Sequence, residues 1–234
     1  MNKHFLIQSS LRISESSGDP NTDQHAQWSA FWRRKFLQGL LDSIRTNESS
    51  YYLRTILKPY LHKDRFIELG CGTAIQLAML AGYYKELIAL DYSKESLDIA
   101  RQVLDARGVK NYKITQQDIR DIKNIRADYD VVFSNGLIEH FKEPWFAIES
   151  HLRYAKPGGF VIILAPSAYL FKHLWFKITD NVFLKRLWPW TEQCFFTKKS
   201  MEETFDKVDK NLVKWHEVKE LKKVENIALI IQKK

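Results

Sequence analysis

The stretch Phe66–Leu80, "FIELGCGTAIQLAML", places an acidic residue and a short glycine loop between two apolar runs. The first run reads as a strand ending at Leu69. The second reads as a helix starting near Thr73. Between them, Gly70 and Gly72 let the backbone turn sharply and approach a ligand closely, and a helix start offers N–H donors with no intrahelical acceptor. A single GxG also describes an ordinary strand-to-helix turn, so the neighbouring segments have to decide between the two.

Working outward, short apolar strands alternate with amphipathic helices: "FIELG", then a helix through Leu80; "ELIALD", then "SKESLDIARQVLDAR"; "YKITQQD"; "YDVVFSNG", then a helix from Trp145 to Tyr154; and "GGFVIILAPS". Such alternation predicts a parallel sheet covered by helices on both faces. A helix "TKKSMEETFDKV" follows, then "LVKWHEV" and "NIALIIQ". Only a short turn-like segment separates these last two runs, which predicts an antiparallel pair. The expectation is therefore a Rossmann-like α/β fold with seven strands, mostly parallel, and an antiparallel C-terminal strand.

Polar residues stand at the expected strand ends. Asp91 closes the second strand, about 20 residues beyond the loop, where an acidic side chain accepts from ribose hydroxyls in nucleotide-binding folds. Asp118 follows the third strand, and Ser134 and Asn135 end the fourth. Each has a plainer reading as a turn or cap residue. Together they mark the carboxyl edge of the sheet, where ligands of open α/β sheets bind.

The ligand does not read as a dinucleotide. The third small residue of G-x-G-x-x-G/A lets helix and strand pack closely beside a pyrophosphate, and here that place is Ile75. Glu68, two residues before the first glycine, would repel a pyrophosphate and suits a cationic group instead. The amine and sulfonium of S-adenosylmethionine meet that need, and its adenosine satisfies Asp91. A dehydrogenase reading would require NAD binding that Asp91→Ala abolishes.

With these segments in view, the chain resembles the class I S-adenosylmethionine-dependent methyltransferases from about Phe66 to the C-terminus. "FIELGCGTA" is similar to their first motif, "LIALDYS" to the second, "QQDIRDI" to the third, "YDVVFSNGLIEHF" to the fourth, and "LRYAKPGGFVIILAPS" to the segment around the fifth strand. The resemblance implies S-adenosyl-L-methionine as cofactor. Glu68, Gly70, Cys71 and Gly72 would shape the pocket for the methionine moiety. Asp91 would bind the ribose hydroxyls, with Tyr92 near the adenine. Asp118 would accept from the adenine amino group, with Ile119 against the ring, and Asn135 would lie near the transferring methyl.

Methyl transfer from a sulfonium is an in-line displacement, which needs alignment, exclusion of water and sometimes a base. His140, just beyond the fourth strand, is the candidate base; its plainer reading is a histidine that positions the loop. Glu139 has the same two readings. The "EH" pair resembles the ubiquinone-biosynthesis type of O-methyltransferase, in which a glutamate three residues earlier helps to hold a divalent metal. Here that position is Gly136, so no metal is expected. The amino-methylating signature of nucleic-acid enzymes is replaced by "SNGL", and neither Cys71 nor Cys194 belongs to a CxxC or similar pair. A small acceptor, apolar or anionic and methylated on oxygen or nitrogen, is expected. The alternatives are an inert S-adenosylmethionine-binding partner subunit and a nucleic-acid methyltransferase. Only the formal charge of +8 supports the latter.

Outside the core, residues 1–25 read as a flexible lead-in, and residues 26–62, with Trp28, Phe31, Trp32 and Phe36, as a helical lid over the 63–234 domain. Residues 169–196 interleave Tyr169, Phe171, Trp175 and Trp188 with Lys172, Lys177 and Arg186. This pattern suits an acceptor pocket, a peripheral lipid contact, a dimer interface or a packed cap. No apolar run approaches the roughly 20 residues that span a bilayer, and the N-terminus lacks the pattern of a signal peptide, so a cytoplasmic location is expected.

Overall fold

The computed structural model describes residues 45–121, 125–168 and 194–234. The lead-in, residues 26–44 of the expected lid and residues 169–193 of the aromatic and basic segment lie outside them.

Strand β1 (Lys63–Leu69) forms where the chain turns from charged to apolar, and Phe66 to Leu69 are all buried, so both faces of the strand are covered. It pairs in parallel with β2 (Tyr84–Asp91) on one side and β4 (Tyr129–Asn135) on the other. β3 (Tyr112–Gln116) lies outside β2, and β5 (Ala155–Pro166) lies outside β4, both parallel. The sheet continues through β7 (Asn226–Lys233) to β6 (Val213–Leu221), giving the order β3-β2-β1-β4-β5-β7-β6. β7 is antiparallel to both of its neighbours. Its first six residues are all buried, so it needs a partner on each side. β6, which carries exposed Lys214, Glu217, Lys219 and Glu220, takes the edge.

Side-chain alternation along each strand feeds two cores. Phe66, Phe133, Ile162 and Ile230 face the first, with Leu77 of α1 (Ile75–Met79), Leu97 and Leu104 of α2 (Lys94–Ala106), and Tyr52, Leu57 and Tyr60. Ile67, Val132, Ile163 and Leu229 face the second, with Ile148 and Leu152 of α3 (Pro144–Tyr154) and Phe205 of α4 (Lys198–Phe205). Residues 45–60 are helical, passing through a π-turn at Leu53–Leu57 and a 3-10 turn at Lys58–Tyr60. This segment packs into the first core.

The expected elements are present with small shifts. The helix expected near Thr73 starts at Ile75, because Ala74 has φ 55° and breaks the helical run. α2 begins where Ser93 caps it, its Oγ accepting from Ser96 N–H at 3.2 Å. Among the described residues, no helix is long and apolar enough to cross a membrane.

Candidate functional site

The carboxyl ends of β1, β2 and β4, with the loop after β3, surround a cavity of about 490 Å³. Glu68, Gly70, Cys71, Gly72, Asp91, Tyr92, Asp118, Ile119, Asn135 and His140 all line it. Parallel strands bring this about: residues far apart in sequence share one sheet edge once the strands lie side by side.

The loop keeps its shape through its glycines. Gly70 has φ +65°, and a Cβ there would stand 2.9 Å from Leu137 Cδ1. Gly72, also at positive φ, donates its N–H to Asp91 Oδ2 at 3.1 Å, while Cys71 N–H donates to Leu90 O at 3.0 Å. Asp91 Oδ1 accepts from Ser93 N–H at 3.0 Å. The Ser96 hydroxyl lies 3.1 Å from Asp91 Oδ2 and 2.9 Å from Gly72 O, so one proton serves both. Burial pushes the Asp91 carboxyl up, and these donors pull it back toward the ionised form. Asp91 thus ties the glycine loop to the end of β2 and also forms part of the cavity wall.

Glu68 is 5% exposed. Leu77 N–H donates to its carboxylate, but Oε2 has no hydrogen-bond partner among the described residues. Burial pushes its pKa up to about 8; nearby Arg45 opposes the rise and Asp91 adds to it. A buried carboxylate with an unpaired oxygen is costly, and a cation beside it would relieve that cost.

At the far end of the cavity the Asp118 carboxylate is held by its neighbour. Oδ1 accepts from Arg120 N–H and Nε–H, both at 2.9 Å, and Oδ2 accepts from Nε–H at 3.0 Å and from the Nη2 group. Ile119 is buried beside it. An adenine amino group would have to share or displace the Arg120 guanidinium.

The two polar residues ending β4 separate by strand parity. Asn135 lines the cavity. Ser134 points to the other face and is fully buried, its Oγ 2.8 Å from His151 Nε2. His151 Nδ1 lies 2.6 Å from Ala147 O, which can only accept, so Nδ1 carries the proton and Nε2 accepts from Ser134. Complete burial pulls the His151 pKa down to about 4. Ser134 is therefore neither a cavity residue nor a turn or cap residue; it fixes α3 to the sheet through His151.

His140 ends a 3-10 turn, Ile138–His140, and borders the cavity with Leu137, Phe141 and Phe146. Its Nε2 is 3.9 Å from Oε1 of buried Glu139. Cys71 is buried and its thiol is pushed well up, which removes it as a nucleophile. Among the described residues, no group of three or more His, Cys, Asp or Glu could hold a metal.

Several lining residues were not legible as site residues, among them Gln76, Arg45 and Ser49. Gln76 is 4% exposed, and neither of its amide atoms has a hydrogen-bond partner among the described residues. The signal for it was a lone amide in the apolar run "AIQLAML". Arg45 and Ser49 line the cavity from the helical segment, and nothing local marks them.

A family described as "Methyltransferase domain" matches residues 62–228. The ubiquinone biosynthesis O-methyltransferase of Alkalilimnicola ehrlichii is 31% identical over 117 residues, covering 47% of each chain. The enzyme of the same name from Shewanella halifaxensis is 36% identical over 97 residues, covering 41% of this chain and 40% of that one. The chain thus spans a little under half the length of these relatives. Among solved structures, a methyltransferase in complex with the Haloferax volcanii Trm112 activator superposes with TM-score 0.64 at 15% identity, covering 87% of this chain and 96% of that one. An S-adenosylmethionine-dependent methyltransferase from Aquifex aeolicus gives 0.55 at 15% identity, covering 77% and 87%. At these identities the structural likeness concerns the fold.

Proposed function

The chain belongs to the class I S-adenosylmethionine-dependent methyltransferases, and from that premise we propose that it methylates an oxygen or nitrogen of a small acceptor that is apolar or anionic. The observation that carries this reading is the buried Glu68 Oε2, without a hydrogen-bond partner among the described residues, at the wall of a cavity that Asp91 and the Gly70–Gly72 loop also line. An unpaired buried carboxylate oxygen fits a close-lying cationic ligand group.

Glu68 takes the ammonium of the donor, Asp91 the ribose hydroxyls, and Asp118 with Ile119 the adenine, beside Tyr92. Gly70, Cys71, Gly72 and Asn135 shape the space around the methionine end. When bound, S-adenosylmethionine supplies a methyl group on a positively charged sulfur. Leu137, Phe141 and Phe146 keep water from the acceptor side, and His140 accepts the proton that the acceptor gives up. The helical segment 45–60 covers the methionine end through Arg45 and Ser49. Names of relatives favour oxygen as the methylated atom.

Incubation with labelled methyl donor and fractionated small-molecule extract tests the reading. Label should enter a small organic product, and His140→Gln should lower turnover about a hundredfold or more while leaving donor affinity unchanged. Tight donor binding without a labelled product would support a second reading, a donor-binding subunit that needs a partner. That reading has some support from the activator bound to the Haloferax volcanii neighbour. Label recovered only in RNA or DNA would overturn the small-acceptor assignment.

A further inference from the structure

One wall of the cavity concentrates hydrogen-bonding capacity that the protein leaves unused. Among the described residues, Glu68 Oε2 and both amide atoms of Gln76, Oε1 and Nε2, are buried without a hydrogen-bond partner. Gln76 stands in the first turn of α1, which follows the glycine loop, and is 4% exposed. A buried amide left unsatisfied is destabilising, so a packed core would favour Leu or Met at such a position. Arg45 and Ser49 also line the cavity, and the Arg45 charge acts on Glu68. The cavity therefore offers an anion, a cation and a neutral amide that both donates and accepts.

We propose that Gln76 is a specificity-determining residue that reads the zwitterionic amino-acid end of the methyl donor. Its Nε2 donates to the carboxylate and its Oε1 accepts from the ammonium that Glu68 neutralises. This inference rests on the methyl-donor reading above and adds to it the residue that separates the donor from adenosine derivatives lacking the amino acid. An amide suits the task because it faces both charges of a zwitterion without repelling either, whereas a second carboxylate or ammonium would repel one of them.

The test uses the full chain and two probes, S-adenosylhomocysteine and 5′-methylthioadenosine. The second retains the adenosine but lacks the amino acid. Titration calorimetry on the wild-type chain should show the first binding at least tenfold more tightly. Gln76→Leu should lower affinity for S-adenosylhomocysteine by tenfold or more and leave that for 5′-methylthioadenosine within about twofold. Its melting temperature should hold or rise, because no hydrogen-bond partner among the described residues is lost; a structural role for Gln76 would lower it. Gln76→Met serves the same purpose should the branched side chain disturb α1. Unchanged S-adenosylhomocysteine affinity in both variants, or an equal loss for both probes, overturns the assignment of Gln76 alone. A wild-type chain that binds neither probe overturns the methyl-donor reading and this inference with it.

Discussion

Raising the pH from about 6 to about 8 should tighten binding of S-adenosylhomocysteine, and Glu68 sets the size of the effect. In the ligand-free chain, burial holds its pKa at about 8, against 4.5 for an ordinary glutamate. The group is then ionised in about one molecule in ten at about pH 7, and in about one in a hundred at about pH 6. An ammonium placed beside it favours the ionised form, so binding releases a proton. The sign follows: affinity rises with pH, about tenfold per unit below pH 8 and about fiftyfold in all from pH 6 to 8, then levels off. The ligand's own ammonium stays ionised across this range. Calorimetry in two buffers of different ionisation enthalpy measures the proton directly, and close to one should be released per ligand at about pH 7. Glu68→Gln should bind with an affinity independent of pH. In the absence of ligand, the raised pKa makes the ionised carboxyl a burden that grows as pH climbs from the unfolded value toward 8. Glu68→Gln should therefore melt several degrees higher than the wild-type chain at about pH 8, with the gap closing toward pH 5. An affinity that is flat from pH 6 to 8, with no buffer-dependent heat, would refute the reasoning.

Asp91→Asn keeps the shape of the side chain but turns an acceptor of the Gly72 and Ser93 N–H groups into a partial donor. Donor affinity should fall by about a hundredfold or more and the chain should lose about 2 kcal/mol of stability, read by calorimetry and urea unfolding. Gly70→Ala, at φ +65° and against Leu137 Cδ1, should cost about 1–2 kcal/mol in the same unfolding assay. His151 is held neutral by burial, its pKa pulled from 6.5 to about 4. The stability it contributes is present above about pH 6.5 and is lost as pH falls toward 4, by about 3 kcal/mol, and replacing it with Gln should flatten that part of the acid-unfolding curve.

Much of this protein was legible in its sequence because the signals are local. Strand–helix alternation from Phe66 onward records which residues face a core, and the polar residue closing each strand needs no partner to be noticed. Hence Glu68, Asp91, Asp118, Asn135 and His140 could be named before any contact was known, and parallel pairing alone brings them to one cavity. Even the antiparallel finish was readable, since a short connection leaves two strands little other choice.

What the tertiary structure decided depends on residues that meet only after folding. The interior place of β7 follows from its need for partners on both sides, which the edge strand β6 does not share. Strand parity sends Ser134 to His151 and Asn135 to the cavity, although they are adjacent in sequence. Arg120 closes on Asp118, changing what an adenine would meet there. Gln76 looks like an interruption in an apolar helix until Arg45 and Ser49 arrive from the preceding helical segment and line the same cavity. Sequence patterns record burial and turns, which are properties of single segments. Hydrogen-bond satisfaction is a property of the assembled fold, and so is the unpaired polar wall of the cavity.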